Sequence, residues 1–159
     1  MSELDVRIIK LEPMSVASFH AYGASPELDA AKKLVDWAKP LGLLDNPEKH
    51  RIFGFDDPTP SPGSPNYGYE FWITIEADME PESEVDIKEI PVGLYAVTRC
   101  DVKEDAYEVI PETWKRLAAW RENSKYGCGN TYWLEEYTGP FPFDVSSEFT
   151  IDLYFPITD

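Results

Sequence analysis

Between Tyr69 and Glu76 apolar side chains fall on alternate positions, with Tyr69, Phe71, Ile73 and Ile75 on one face, the period of a half-buried strand. Between Pro26 and Ala38 the period changes. Leu28, Ala31, Leu34, Val35 and Ala38 recur at helical spacing behind Ser25-Pro26-Glu27, which offers an N-cap residue, a first-turn proline and an early acid. Pro40 and Gly42 end that helix. Val6 to Leu11 and Met14 to Tyr22 read as one extended segment kinked at Pro13, and His50 to Phe55 as a short strand. Asp56 to Gly68 holds four prolines and reads as a loop, a candidate lid. Acidic Ala77 to Val85 reads as a linker.

The same order then returns. Ile87 to Val102 is extended and broken near Pro91-Val92-Gly93. Pro111 opens a helix to about Asn123 with Trp114, Leu117 and Ala118 on its buried stripe. After the Gly127-Cys128-Gly129-Asn130 turn come extended segments over Thr131 to Tyr137 and Glu148 to Phe155. Lys32-Lys33-Leu34-Val35-Asp36-Trp37 answers Lys115-Arg116-Leu117-Ala118-Ala119-Trp120, and Phe71 and Ile73 answer Phe149 and Ile151. The pattern predicts an α+β domain covering the whole chain. It is a tandem pseudo-symmetric strand–helix–strand–strand repeat, with half-repeats of about 5–76 and 86–156. The strands are expected in an antiparallel-rich sheet with the two helices on one face. Two similar halves make a seam, and a seam is a natural place for a ligand.

Composition narrows the choices. With 30 acidic and 14 basic residues among 159, the net charge of -16 argues against a nucleic-acid surface, which needs clustered Lys and Arg, and suits cationic ligands or simple solubility. Cys100 and Cys128 make neither a disulfide framework nor a metal motif, and His20 and His50 are not spaced as a metal pair, so no metal or cofactor is expected. No signal peptide or apolar run of membrane-spanning length is present, which predicts a cytoplasmic protein without a membrane partner. Of five Trp, nine Tyr and eight Phe many must be core, and Trp and Tyr beyond the core's needs would suit a stacking pocket.

Aligning Pro58 with Pro140 sets Ile52 against Leu134 and Phe53 against Glu135. Strand side chains alternate, so Leu134 is expected toward the helices, with Trp133, Glu135 and Tyr137 together on the opposite face. A carboxylate between aromatic rings is what a planar, lipophilic cation needs, through charge neutralisation and cation–π contact. The bland alternative is a solvated acid on a strand edge with rings covering apolar surface. Cation binding at such a carboxylate is expected to weaken at low pH. Trp72, Tyr95 and Tyr154 are further candidates for the same lining, although ordinary packing is the first expectation for each; Phe141 and Phe143 could cap it. Glu136 points away from Glu135, so the two cannot act on one substrate atom.

The residues resemble the GyrI-like small-molecule-binding domain, the effector-binding module of AraC/BmrR/Rob-type multidrug regulators, over nearly the whole chain. Ile90-Pro91-Val92-Gly93-Leu94-Tyr95-Ala96-Val97 resembles its first strand motif in the second half, and Trp114 to Trp120 its second helix. Leu134-Glu135-Glu136-Tyr137 resembles its glutamate motif, and Leu153-Tyr154-Phe155-Pro156-Ile157 its closing strand. The resemblance implies that Glu135 faces an aromatic-lined pocket between the halves and meets cationic drugs. With the chain opening directly on this module, it implies a stand-alone member.

The leading expectation is a stand-alone binder of lipophilic, cationic, aromatic small molecules at Glu135, Trp133, Tyr137, Trp72, Tyr95 and Tyr154. A second is a hydrolase of cyclopropane-bearing electrophiles, with Glu135 as the catalytic base on water. A third is a protein-interaction module such as a gyrase inhibitor, the acidity mimicking DNA. The acids are spread without a run of five or six, which ranks this reading last.

Overall fold

A computed structural model describes residues 4–46, 48–56, 62–76, 85–90, 93–103, 106–138 and 148–159. These residues form nine strands, two α-helices and one short 3-10 turn, an α+β fold whose strand pairings are antiparallel. The strands are β1 (Val6–Leu11), β2 (Met14–Gly23), β3 (Ile52–Asp56), β4 (Tyr67–Ile75), β5 (Asp86–Ile90), β6 (Gly93–Val102), β7 (Gly127–Cys128), β8 (Leu134–Tyr137) and β9 (Phe149–Thr158). The helices are α1 (Pro26–Ala38) and α2 (Ala106–Glu122), and the 3-10 turn spans Leu43–Asp45. No helix among the described residues is long and apolar enough to cross a membrane.

Residues 13–90 make one compact unit, and residues 1–12 with 91–159 make the other. In the first unit the strand order is β3-β4-β2-β5, with α1 packed on β2 and β4. Phe19, Phe71 and Ile73 turn toward α1, where Phe19 meets Trp37 at a ring separation of 5.6 Å. Ala30, Ala31, Leu34 and Ala38 are the buried side of that helix. Leu28, expected on the buried stripe, is exposed, and Ser25 makes no side-chain cap bond. Gly54 lies directly opposite Phe71, and the Tyr69 ring occupies the space a Cβ there would need.

In the second unit the order is β1-β6-β9-β8, with β7 also on β9 and α2 packed on β6 and β9. Leu117 of α2 is fully buried over Ala96, Cys100, Phe149, Ile151, Leu153 and Phe155, with Trp114 and Ala118 packed beside it. The helix starts five residues before Pro111, the expected first residue. Pro111 lies in the second turn, where it removes one i→i−4 bond and its ring crowds the carbonyl four residues back, a cost the packing of α2 on its strands must outweigh.

The segment read as one kinked strand is two strands. β1 pairs with β6 and β2 pairs with β4 and β5, so the chain passes from one unit to the other at Glu12–Pro13. Pro13 has no N–H for a ladder, and the break falls there. The predicted break after Ile90 is present, between β5 and β6. Each unit therefore takes its outer strand from sequence that the repeat assigns to the other half.

Candidate functional site

The register of β8 decides where the candidate carboxylate points. Glu135 stands opposite Leu153 and Tyr137 opposite Ile151, two residues of the core beneath α2. Glu135 and Tyr137 are therefore on the helix side of β8, and Leu134 and Glu136 on the other. This reverses the expected orientation. By pairing, the counterpart of Ile52, which lies opposite Ile73, is Tyr137, which lies opposite Ile151, and not Leu134.

On that side the half-buried Glu135 accepts a 3.0 Å hydrogen bond at Oε2 from the Trp114 indole Nε1. The partner comes from α2 and was not foreseen, although Trp114 was placed on the buried stripe. Trp133 precedes β8 rather than belonging to it and is 47% exposed. Its ring lies 5.5 Å from that of Trp114 and 4.5 Å from that of Phe155. The Arg121 guanidinium lies 6.0 Å from the Phe155 ring centroid. Beneath Glu135, burial pushes the Cys100 thiol pKa up; a bond to Thr113 opposes this, and the Glu135 charge adds to it. The structure thus gathers Glu135, Trp133 and Tyr137 on one face and adds Trp114 and Phe155.

Tyr95 and Tyr154 lie on the reverse face of the same strands, so they cannot line the Glu135 site from this unit. Their rings meet edge-on at 5.7 Å. The Tyr154 hydroxyl donates to buried Glu136 Oε1 at 2.6 Å. Glu136 stands opposite Asp152, which Arg7 holds at 3.2 Å. Burial pushes the Asp152 carboxyl up, Arg7 pulls it back, and the Glu136 charge adds to the rise. The Tyr95 hydroxyl is buried and makes no hydrogen bond of good geometry among the described residues, with the Thr131 side chain as its polar neighbour.

Trp72 belongs to the 13–90 unit, on the face of β4 away from α1, as expected from its parity with Phe71 and Ile73. There it accompanies a carboxylate that sequence reading passed over. Glu70 is 3% exposed, and its Oε2 accepts from Ser18 Oγ at 2.7 Å, Trp72 Nε1 at 2.6 Å and Lys88 Nζ at 2.8 Å. Burial raises the Glu70 pKa, but the bonds from Lys88, Ser18 and Trp72 outweigh it and hold the carboxyl below its ordinary value. The missed signal was Trp72 itself: an indole on the supposedly wet face of β4 marks a strand buried on both sides, and Glu70 shares that face. An open depression of about 490 Å³ lies elsewhere in this unit, among Pro13, Met14, Ser15, Arg51 and Ile75, with the Lys49–Glu76 ion pair at its rim. Of the Asp56–Gly68 segment read as a candidate lid, residues 57–61 lie outside the described residues, while Asp56 ends β3 and Tyr67 and Gly68 open β4; Phe141 and Phe143, read as a possible cap, also lie outside them. Among the described residues no three His, Cys, Asp or Glu side chains gather as a metal site.

Residues 7–157 match the family model of Cass2, described as an integron-associated effector binding protein. Comparison with curated protein sequences gives no match. Among solved structures, the EcmrR–DNA complex is similar at 16% identity and TM-score 0.69, over 98% of this chain and 57% of that one. The chain thus spans little more than half the length of that EcmrR chain. A Vibrio cholerae integron cassette protein, VCH_CASS2, is similar at 13% identity and TM-score 0.57, over 96% of this chain and 95% of that one. SAV2435, solved bound to tetraphenylphosphonium, is similar at 10% identity and TM-score 0.54, over 98% of this chain and 94% of that one. At these identities the likenesses are likenesses of fold.

Proposed function

The chain belongs to the Cass2 family of integron-associated effector-binding proteins, and from that premise we propose that it binds lipophilic, aromatic cations at Glu135. The observation that carries this reading is the single face that joins the half-buried Glu135 carboxylate, the Trp114 indole bonded to it, and the exposed Trp133 ring. The carboxylate offsets the ligand charge. Each ring adds cation–π attraction of about 0.5–1 kcal/mol if exposed and about 2 if desolvated. Arg121 already lies over Phe155, so the ring faces of Trp133 and Trp114 are the ones that suit a cation. The bond from Trp114 fixes the carboxylate, so less ordering is required on binding. A protein of the same fold bound to tetraphenylphosphonium, a lipophilic cation, supports the ligand class.

The test is a titration with tetraphenylphosphonium or a rhodamine dye, read by tryptophan quenching. Glu135→Gln should weaken binding roughly tenfold, the equivalent of about 1.4 kcal/mol of charge–charge attraction. Trp133→Ala should weaken it by a similar factor. Equal affinity in wild type and Glu135→Gln would remove the carboxylate from the reading.

A further inference from the structure

Glu70 offers an acceptor for positive charge that is independent of Glu135 and lies within the 13–90 unit. The ladder surrounds it with rings: Phe55 stands directly opposite Glu70, and Phe53 directly opposite Trp72. Phe53 is fully buried, and Phe55 meets Trp72 at a ring separation of 4.8 Å. Within this apolar wall sits a charge already held by a cation of the chain itself. The Lys88 ammonium bonds Oε2 at 2.8 Å, and Ser18 and Trp72 address the same oxygen.

The two partners differ in access to water. The Glu70 side chain is 4% exposed and that of Lys88 44%. Lys88 stands opposite Val16 on β5, the last strand in its unit's order, and its stem runs from solvent to the carboxylate. Ser18 and Trp72 alone can hold Oε2 while the ammonium leaves. What Lys88 presents to this oxygen is an alkyl chain ending in an N–H donor, which a primary alkylammonium reproduces. We propose that Glu70 is a second cation-accepting site, that the Lys88 ammonium is its exchangeable occupant, and that it takes primary alkylammonium ions of lysine-like length. A quaternary ammonium lacks the N–H that Oε2 accepts and is bulkier than the ammonium it would replace. A tethered competitor acts at millimolar effective concentration or above, so wild-type affinity is held low until Lys88 is displaced.

The experiment follows the Trp72 indole N–H resonance, assigned through Trp72→Phe, while n-butylammonium chloride is added at constant ionic strength near pH 8. Wild type should show a weak saturable shift. Lys88→Ala should bind roughly tenfold tighter or more, Glu70→Gln in that background should abolish the shift, and tetramethylammonium should not reproduce it. Glu135→Gln should leave it unchanged, so failure here and failure of the Glu135 reading are separable. Lys88→Ala binding no tighter than wild type, a shift that survives Glu70→Gln, or one that disappears with Glu135→Gln would each overturn the proposal. If Lys88→Ala folds poorly, n-butylammonium should raise its melting temperature more than wild type's at equal ionic strength; no such rescue would also overturn it.

Discussion

Replacing Glu70 by Gln and Lys88 by Met, singly and together, should give a coupling free energy of about 1–2 kcal/mol. Exposed ion pairs are worth about 0.2–1 kcal/mol, and breaking a fully buried one costs about 3–5 kcal/mol. Glu70 is 4% exposed and Lys88 44%, so this pair falls between those limits. The donors that remain on Oε2, Ser18 and Trp72, restrain the loss when Lys88 is replaced. For a chain of 159 residues each kcal/mol moves the melting temperature by about 2–4 °C, so Lys88→Met should lower it by roughly 2–8 °C. Urea unfolding of the four proteins at neutral pH measures the coupling. The pH dependence has a definite sign. The folded Glu70 carboxyl lies below its ordinary value of 4.5, so its contribution is fully present above that pH and lost as pH falls through the folded value. In Lys88→Met burial is less opposed and the carboxyl titrates higher. The stability gap between wild type and variant should therefore widen as pH rises through that range. Coupling below about 0.3 kcal/mol at neutral pH, or a gap that widens toward acid, would refute the account.

Trp114→Phe removes the indole donor to Glu135 while keeping a ring; a bond to a charged group is worth about 1.5–3 kcal/mol, discounted here for the half-buried acceptor, so urea unfolding should show a loss of about 1–2 kcal/mol. Gly54→Ala places a methyl where the Tyr69 ring lies, and overpacking of this kind should cost about 1–3 kcal/mol by thermal unfolding. Tyr95→Phe removes a buried hydroxyl that makes no hydrogen bond of good geometry among the described residues, so stability should be unchanged or rise by up to about 1 kcal/mol; a clear loss would show that its contact with Thr131 is a bond in solution.

The periodicity of the chain was enough to locate most elements, because burial of one face imposes it. Tyr69, Phe71 and Ile73 alternate since one side of β4 meets α1, and Leu117 returns at the position of Leu34 since each helix needs one large residue over its strands. Partner choice was not legible. Val6–Leu11 carries an ordinary strand pattern, and nothing in it states that the chain changes unit at Pro13. Boundaries failed where local rules are permissive, as at Ala106, five residues before the proline that marked the expected helix start.

The candidate site shows the same division at finer scale. Glu135 was found through its aromatic neighbours, which is a matter of composition and survives an error of register. Its direction was a matter of parity, and matching Ile52 to Leu134 instead of Tyr137, an odd offset of three residues, moved every side chain of β8 to the other face. Loop prolines are poor anchors for such an alignment, because loops gain and lose residues without disturbing the ladders they join. Core pairs are better anchors. Phe71 and Ile73 matched to Phe149 and Ile151 fix parity through the partners across the ladder and turn Glu135 toward α2, where Trp114 waits. Applied to β4, the same parity rule separates Glu70 and Trp72 from the α1 side and joins them to Phe53, Phe55 and Ser18. A strand with rings on both faces has no wet side for a carboxylate. A Glu there must be supplied with donors by its neighbours, and in this chain they are Ser18, Trp72 and Lys88.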